Sequence, residues 1–400
     1  MTRSVAERWR LLSGQDNWKN LLDPLDMDLR RYLIIYGQLA QATYDTFNYQ
    51  KASKYAGDSH YSRKHLFSRV SLEKANPFKY IPTKFLYATS QIPVPEAFIV
   101  KSLSKHAWQK DSNWIGFVAV ATDEGKAALG RRDIVITWRG TIESFELVND
   151  FDFPLVPASP LFGEKACDAK VHRGWLSIYT SEDPNSRFTK ISAREQVLLE
   201  VKRLMEEFKD EVISITTTGH SLGAALATLS AADIVINGFN KQIEKPDKQC
   251  PVTTFGFASP RVGDSKFKDL LDSMEDLRIL RVRNQPDLIT HYPLTRYSDV
   301  GEELLINTNE SKYLKPIGNF IIWHALEVYL HGVAGTQGKD GGFDLIVKRD
   351  IGLLNKTLDI LKDEYLVPVG WWCMKNKGMV QRKDGCWELK DHEKDADDEF

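Results

Sequence analysis

Glu211-Val212-Ile213-Ser214-Ile215-Thr216-Thr217-Thr218-Gly219-His220-Ser221-Leu222-Gly223-Ala224-Ala225-Leu226-Ala227 changes character halfway along. β-Branched residues crowd its first part and favour an extended strand. Residues 224–235 are small or aliphatic and read as a helix, so a glycine-flanked serine stands at the junction. Ahead of this unit, Ser192 and Glu195 form a capping box before Val197, Val201, Leu204, Met205 and Phe208, which recur on one helical face. Beyond it, residues 252–257 and 277–282 read as further strands. Earlier still, residues 112–122 and 133–138 predict two strands joined by a turn at Asp123-Glu124-Gly125, the second apolar on both faces. Alternating strands and helices with doubly buried strands predict an α/β fold, a mostly parallel central sheet flanked by helices.

Toward the ends the pattern differs. Asp26-Met27-Asp28 precede Leu29, Leu33, Tyr36, Leu39, Ala40 and Thr43, a helical spacing that predicts an N-terminal helix packed on the core. After Gly335, residues 345–361 read as an amphipathic helix, residues 379–387 as a hairpin turning on Asp384-Gly385, and residues 388–400 as a solvated acidic tail. Three regions are expected: an N-terminal extension over 1–80, a core over 81–335 and a C-terminal part over 336–400.

The 400 residues carry 53 Lys+Arg against 55 Asp+Glu, a net charge of −2, which offers no electrostatic footprint for nucleic acid. With 42% hydrophobic residues the chain can bury a large core and is too apolar for disorder. Cys167, Cys250, Cys373 and Cys386 are scattered, so neither a disulfide framework nor a metal knuckle is expected. The first residues lack the apolar stretch of a signal peptide. Residues 320–333 are the greasiest late stretch, but they hold His324, Glu327 and His331 and are too short to span a bilayer. A cytoplasmic protein with reduced thiols is expected.

Gly219-His220-Ser221-Leu222-Gly223 fits a sharp strand-to-helix turn that pushes a serine hydroxyl out above a sheet, with backbone N–H groups at the helix start able to hold an anionic oxygen. Serine needs a histidine base oriented by a carboxylate to act as a nucleophile. In α/β hydrolases these follow the serine as Asp, then His. Asp287, in the loop Asn284-Gln285-Pro286-Asp287 after a strand, is the candidate carboxylate. Of the later histidines, His392 lies in the acidic tail and His291 shares a short loop with Asp287. His324 and His331 remain. Gly332 as a helix terminator would leave His331 serving only the helix dipole, whereas His324 stands at the helix entrance, better placed to reach serine. For the oxyanion hole, the Leu222 N–H and the N–H and hydroxyl of Thr141, in Trp138-Arg139-Gly140-Thr141, are the candidates.

Together with Val171-His172-Arg173-Gly174-Trp175 and Phe257-Ala258-Ser259-Pro260-Arg261-Val262-Gly263-Asp264, these blocks resemble the class 3 lipases over roughly residues 80–335. Arg8-Trp9-Arg10-Leu11-Leu12-Ser13-Gly14, Tyr44-Asp45-Thr46-Phe47-Asn48 and residues 324–335 are similar to the plant phospholipase A1 enzymes of class II, end to end. The resemblance implies an α/β-hydrolase fold and a Ser221, Asp287, His324 triad with Thr141 and Leu222 at the oxyanion hole. It also implies release of the sn-1 acyl chain from phospholipid, at a membrane or micelle surface, with no metal or cofactor. A mono- or diacylglycerol or galactolipid lipase is the alternative, and a catalytically silent lipid-binding scaffold the alternative of another class. Residues 142–170, apolar and broken by Pro154, Pro157 and Pro160, are expected either to form a flap over a greasy site or to pack on the sheet. His172 precedes the serine and is expected to be structural.

Overall fold

A computed structural model describes residues 4–96, 98–107, 109, 112–142, 154–242, 249–316, 320–338 and 341–372, and near the C-terminus 378–381, 383–384 and 386–390. Eleven strands lie among them. In chain order they are β1 (Tyr80–Ala88), β2 (Asn113–Ala121), β3 (Arg132–Trp138), β4 (Leu155–Pro157), β5 (Lys170–His172), β6 (Ile213–His220), β7 (Val252–Phe257), β8 (Leu277–Asn284), β9 (Glu302–Ile306), β10 (Gly378–Gln381) and β11 (Trp387–Lys390).

Seven of them form one sheet in the order β1-β2-β3-β6-β7-β8-β9. The strands from β3 to β9 run parallel, and β1 and β2 add antiparallel at one edge. Every residue of β2, β3, β6 and β7 is buried, as strands covered on both faces require. One face carries the helices Arg173–Thr180, Ala193–Glu207 and Leu222–Ile236, whose apolar side chains join Ile134, Ile136, Ile215 and Val252 in one core cluster. The other carries Met27–Thr46 and Leu326–Gly335, clustered with Phe117, Val135, Phe255 and Val282. This is the α/β-hydrolase arrangement expected from the sequence.

Local chemistry sets the element ends. Asp26 caps Met27–Thr46 by accepting from Asp28 N and Leu29 N, and Ser192 with Glu195 closes the capping box of Ala193–Glu207. Buried Arg30 donates to Val333 O and Thr336 O, so the N-terminal helix caps the C-terminus of Leu326–Gly335.

Three local expectations are corrected. Asp123-Glu124-Gly125 is no turn: Thr122 caps a helix over Asp123–Leu129, which connects β2 to β3. Gly332 does not end a helix after His331, because Leu326–Gly335 runs through it. Residues 345–361 form no amphipathic helix; the segment holds only a 3-10 turn at Ile351–Asn355. There the Asn355 side chain accepts from Ile360 N and Leu361 N, competing with helical pairing, while Ile346 N donates to Ala334 O. The hairpin expected over 379–387 is present but longer: β10 and β11 pair from Gly378 and Lys390 to Gln381 and Trp387, so residues 388–390, expected in the acidic tail, belong to the second strand. Residues 391–400 of the acidic tail and Cys373 lie outside the described residues. So do residues 143–153 of the expected flap, while the described remainder is docked: β4 pairs with β5, and Leu161 and Phe162 are buried in the core.

Candidate active site

β6 ends and the helix Leu222–Ile236 begins with Ser221 between them, at φ +58° and ψ −127°, a strained backbone for a residue with a side chain. The turn is that tight because its flanks have no side chains. A Cβ on Gly219 would stand 2.3 Å from Gly223 O, and one on Gly223 would stand 2.3 Å from Trp138 O. Trp138 pairs directly with Gly219 across the parallel β3–β6 ladder, so the turn leaving β3 lies against the serine turn.

His324 closes the short helix Phe320–His324, and Ala325 is the N-cap of the helix that follows. Its Nε2 lies 2.8 Å from Ser221 Oγ and its Nδ1 lies 2.7 Å from Asp287 Oδ2. An ionised carboxylate can only accept, so Nδ1 carries the proton and Nε2 accepts from the serine hydroxyl. Asp287 and His324 are fully buried and Ser221 is 1% exposed. Asp287 sits in the loop just past β8 and takes two further hydrogen bonds, from Tyr329 OH at 2.6 Å and Ile289 N at 3.0 Å. Burial alone would push its carboxyl up. The electrostatic attraction and N–H of the His324 ring, the Tyr329 hydroxyl and the Ile289 N–H outweigh that and hold it below the usual carboxylate range.

The sequence reading missed the residues that fix this geometry. His220 Nε2 lies 2.6 Å from His324 O and its Nδ1 2.7 Å from Tyr44 OH. Since a carbonyl only accepts, Nε2 carries the proton and Tyr44 donates to Nδ1. Burial, with a smaller push from His324, lowers the His220 imidazole to about 3, so it stays neutral. Asn284, the last residue of β8, donates to Trp323 O at 3.1 Å and accepts from Thr308 N and Oγ1. The main chain at residues 323 and 324 is thus held from two sides. The signals for these residues were faint: a histidine and an asparagine at the ends of strands buried throughout or nearly so, and tyrosines on otherwise apolar helical faces.

Thr141 and Leu222, the oxyanion candidates, are both buried. Leu222 begins its helix, where a backbone N–H has no partner within the helix. The Thr141 hydroxyl is buried with no hydrogen-bond partner among the described residues, and Thr141 lines a cavity of about 560 Å³ together with His220 and His324. An unpartnered donor lining such a cavity is available to an incoming oxygen. Arg139 fixes the turn before it. Its guanidinium, buried over the Phe47 ring at 3.8 Å, donates to the carbonyl oxygens of Trp114, Gly140 and Phe98.

The other histidines stand elsewhere. His331 is hydrogen-bonded to Ser311 Oγ at 2.7 Å, and burial lowers it to about 3. His291 lies beside Arg283 at 3.1 Å. His172 caps the helix Arg173–Thr180 by accepting from Gly174 N and Trp175 N, as a structural residue does. Among the described residues no cluster of His, Cys, Asp and Glu could hold a metal ion, and no helix is long and apolar enough to cross a membrane.

A family model described as lipase (class 3) matches residues 135–297, from β3 to just beyond the Asp287 loop. Phospholipase A1-IIgamma of Arabidopsis thaliana is 57% identical over 403 aligned residues, covering 100% of this chain and 96% of that protein. Phospholipase A1-II 1 of Oryza sativa subsp. indica is 54% identical, covering 98% of both chains. Among solved structures, the Lip2 lipase of Yarrowia lipolytica is similar at 18% identity and a TM-score of 0.46, covering 71% of this chain and 81% of that one. Full-length identity of this order, together with the family match across the serine turn, establishes that the chain belongs to the plant phospholipase A1-II group of the class 3 lipases.

Proposed function

We propose that this chain hydrolyses the sn-1 acyl ester of glycerophospholipids by an acyl-enzyme mechanism, with Ser221 as nucleophile, His324 as general base and acid, and Asp287 orienting the imidazole. The His324 ring bridging a serine hydroxyl and a buried carboxylate, at 2.8 and 2.7 Å, carries this assignment. His324 takes the Ser221 proton as the oxygen attacks the ester carbonyl, and the Leu222 and Thr141 N–H groups hold the oxyanion. The imidazolium then protonates the departing alkoxide and lysophospholipid leaves. Water, deprotonated by the same imidazole, attacks the acyl-serine and releases the fatty acid. Choice of phospholipid, and work at a lipid surface, are supported by the relatives named phospholipase A1 and by an apolar cavity beside the triad.

Mass-spectrometric analysis of the products from phosphatidylcholine with different acyl groups at its two positions tests the assignment. Release of the sn-1 acid by the parent chain and its loss in Ser221→Ala are expected. Release of the sn-2 acid instead, or undiminished turnover in Ser221→Ala, overturns it.

A further inference from the structure

The cavity beside the triad lies largely outside the sheet. Part of its lining comes from the N-terminal helix and its exit, through Tyr44, Asp45 and Phe47, and part from the C-terminal segment, through Leu354, Leu358 and Trp372. Thr141 and His324 open into the same space, so a chain attached to the reacting carbonyl has this cavity next to it.

The C-terminal side is firmly built. Leu354, Ile360 and Leu361 pack with Leu314 and Val328 in a small core of their own, and Asn355 fixes the turn from within. Two buried ion pairs fasten the segment to the rest of the molecule. Lys356 meets Asp45 with its ammonium 4.1 Å from the Trp372 ring centre, and Arg349 meets Glu327. All four charged side chains are at most 8% exposed. Breaking either pair would leave a buried charge uncompensated, so the wall has little freedom to withdraw.

We propose that residues 351–372 form the wall that gauges acyl-chain length, with Leu358 and Trp372 meeting the chain and the Lys356–Asp45 pair holding the wall in register with the N-terminal helix. This inference rests on the acyl-hydrolase assignment and adds to it the part of the molecule that chooses the acyl group. Leu358 is half-buried on the cavity side and Thr357, which also lines it, is exposed, so bulk can be added at either position without opening the core.

The test compares kcat/KM for p-nitrophenyl palmitate and p-nitrophenyl butyrate in fixed detergent, for the full chain and for Leu358→Trp, Thr357→Phe and Leu358→Ala. Each methylene kept buried contributes about fourfold to binding, so an obstruction that excludes two of them lowers the palmitate-to-butyrate ratio by about tenfold or more. The ratio is expected to fall in Leu358→Trp and Thr357→Phe and to rise in Leu358→Ala. Labelling of Ser221 by a fluorophosphonate probe reports an intact site in each variant, and Thr357→Phe carries the test if Leu358→Trp does not fold. A ratio within twofold of the parent in the labelled bulky variants overturns the proposal. If the parent chain itself takes no label and cleaves neither ester, the hydrolase assignment fails and the wall proposal falls with it.

Discussion

Tyr329→Phe isolates what holds the carboxylate of the site. The hydroxyl that it removes donates to Asp287 Oδ2 at 2.6 Å and accepts from Asn284 N at 3.1 Å, with every group buried. A hydrogen bond to a charged acceptor contributes about 1.5–3 kcal/mol, and a stranded buried N–H costs about 1–3 kcal/mol. The two overlap in one small region, so the expected loss is about 2–4 kcal/mol at neutral pH. The pH dependence separates them. Asp287 is held below the usual carboxylate range, so its contribution to stability is present above the unfolded carboxyl's ordinary pKa and is lost as pH falls through the folded value. Without the Tyr329 donor the folded value moves up and that contribution shrinks. The difference between parent and variant should therefore be largest near neutrality and narrow on the acid side, leaving the share due to Asn284 N. Urea unfolding at a series of pH values measures it. A difference of less than 1 kcal/mol, or one that does not change with pH, refutes the view that Tyr329 acts by stabilising the ionised Asp287.

Burial lowers His172, His220 and His331 to about 3 each, so on acidification the unfolded chain takes up protons that the folded one refuses. These three together should make stability fall by up to about 4 kcal/mol per pH unit once the pH is well below the unfolded histidine value, and proton uptake on unfolding of fewer than one near pH 5 would show them to be accessible. Gly223→Ala drives a methyl into Trp138 O and should displace the turn that carries Thr141; fluorophosphonate labelling of Ser221 should slow by at least about tenfold, and an unchanged rate would show that the turn tolerates the shift. Lys356→Met leaves Asp45 buried without its cation and should cost about 3–5 kcal/mol, whereas the double variant Asp45→Asn, Lys356→Met should regain most of that loss in urea unfolding; a double variant no more stable than the single one counts against the pairing.

Five of the sheet's seven strands were legible because their signals are local, whereas the edge strands β1 and β9 were not read. Branched residues in β6, a capping box ahead of Ala193–Glu207 and a glycine-flanked serine each report on a few neighbours in sequence. Two misreadings share one cause, a glycine taken for a change of direction. Gly125 suggested a turn, yet it sits inside a helix where a Cβ would stand 2.3 Å from Lys79 O. Gly332 suggested a helix end, yet it lies mid-helix where a Cβ would stand 2.5 Å from the Ile306 Cδ1. Both are glycine so that another element can come close, and that neighbour is far away in sequence. The apolar spacing over 345–361 misled for a related reason: it records burial, and a chain folded back over its own small core buries side chains as a helix would.

The same distinction divides the site. Candidates for serine, acid and base, which the structure brings within hydrogen-bond distance, could be named from the sequence because the chemistry restricts their types and the fold restricts their order along the chain. What aims them obeys no such order. Tyr44 reaches His220 across 176 residues, His220 reaches the His324 carbonyl across 104, and Lys356 reaches Asp45 across 311. The first two bonds join His220, in β6, to segments outside residues 135–297, where the family match lies, and the third joins two such segments to each other. Ser221 and Asp287 lie within the family match and His324 beyond it, whereas the cavity proposed to receive the acyl chain is lined mostly by residues from the two ends of the chain. Differences in acyl preference among proteins with the same serine turn should then map to those ends, and the length-dependent ester assay on the 357 and 358 variants measures that directly.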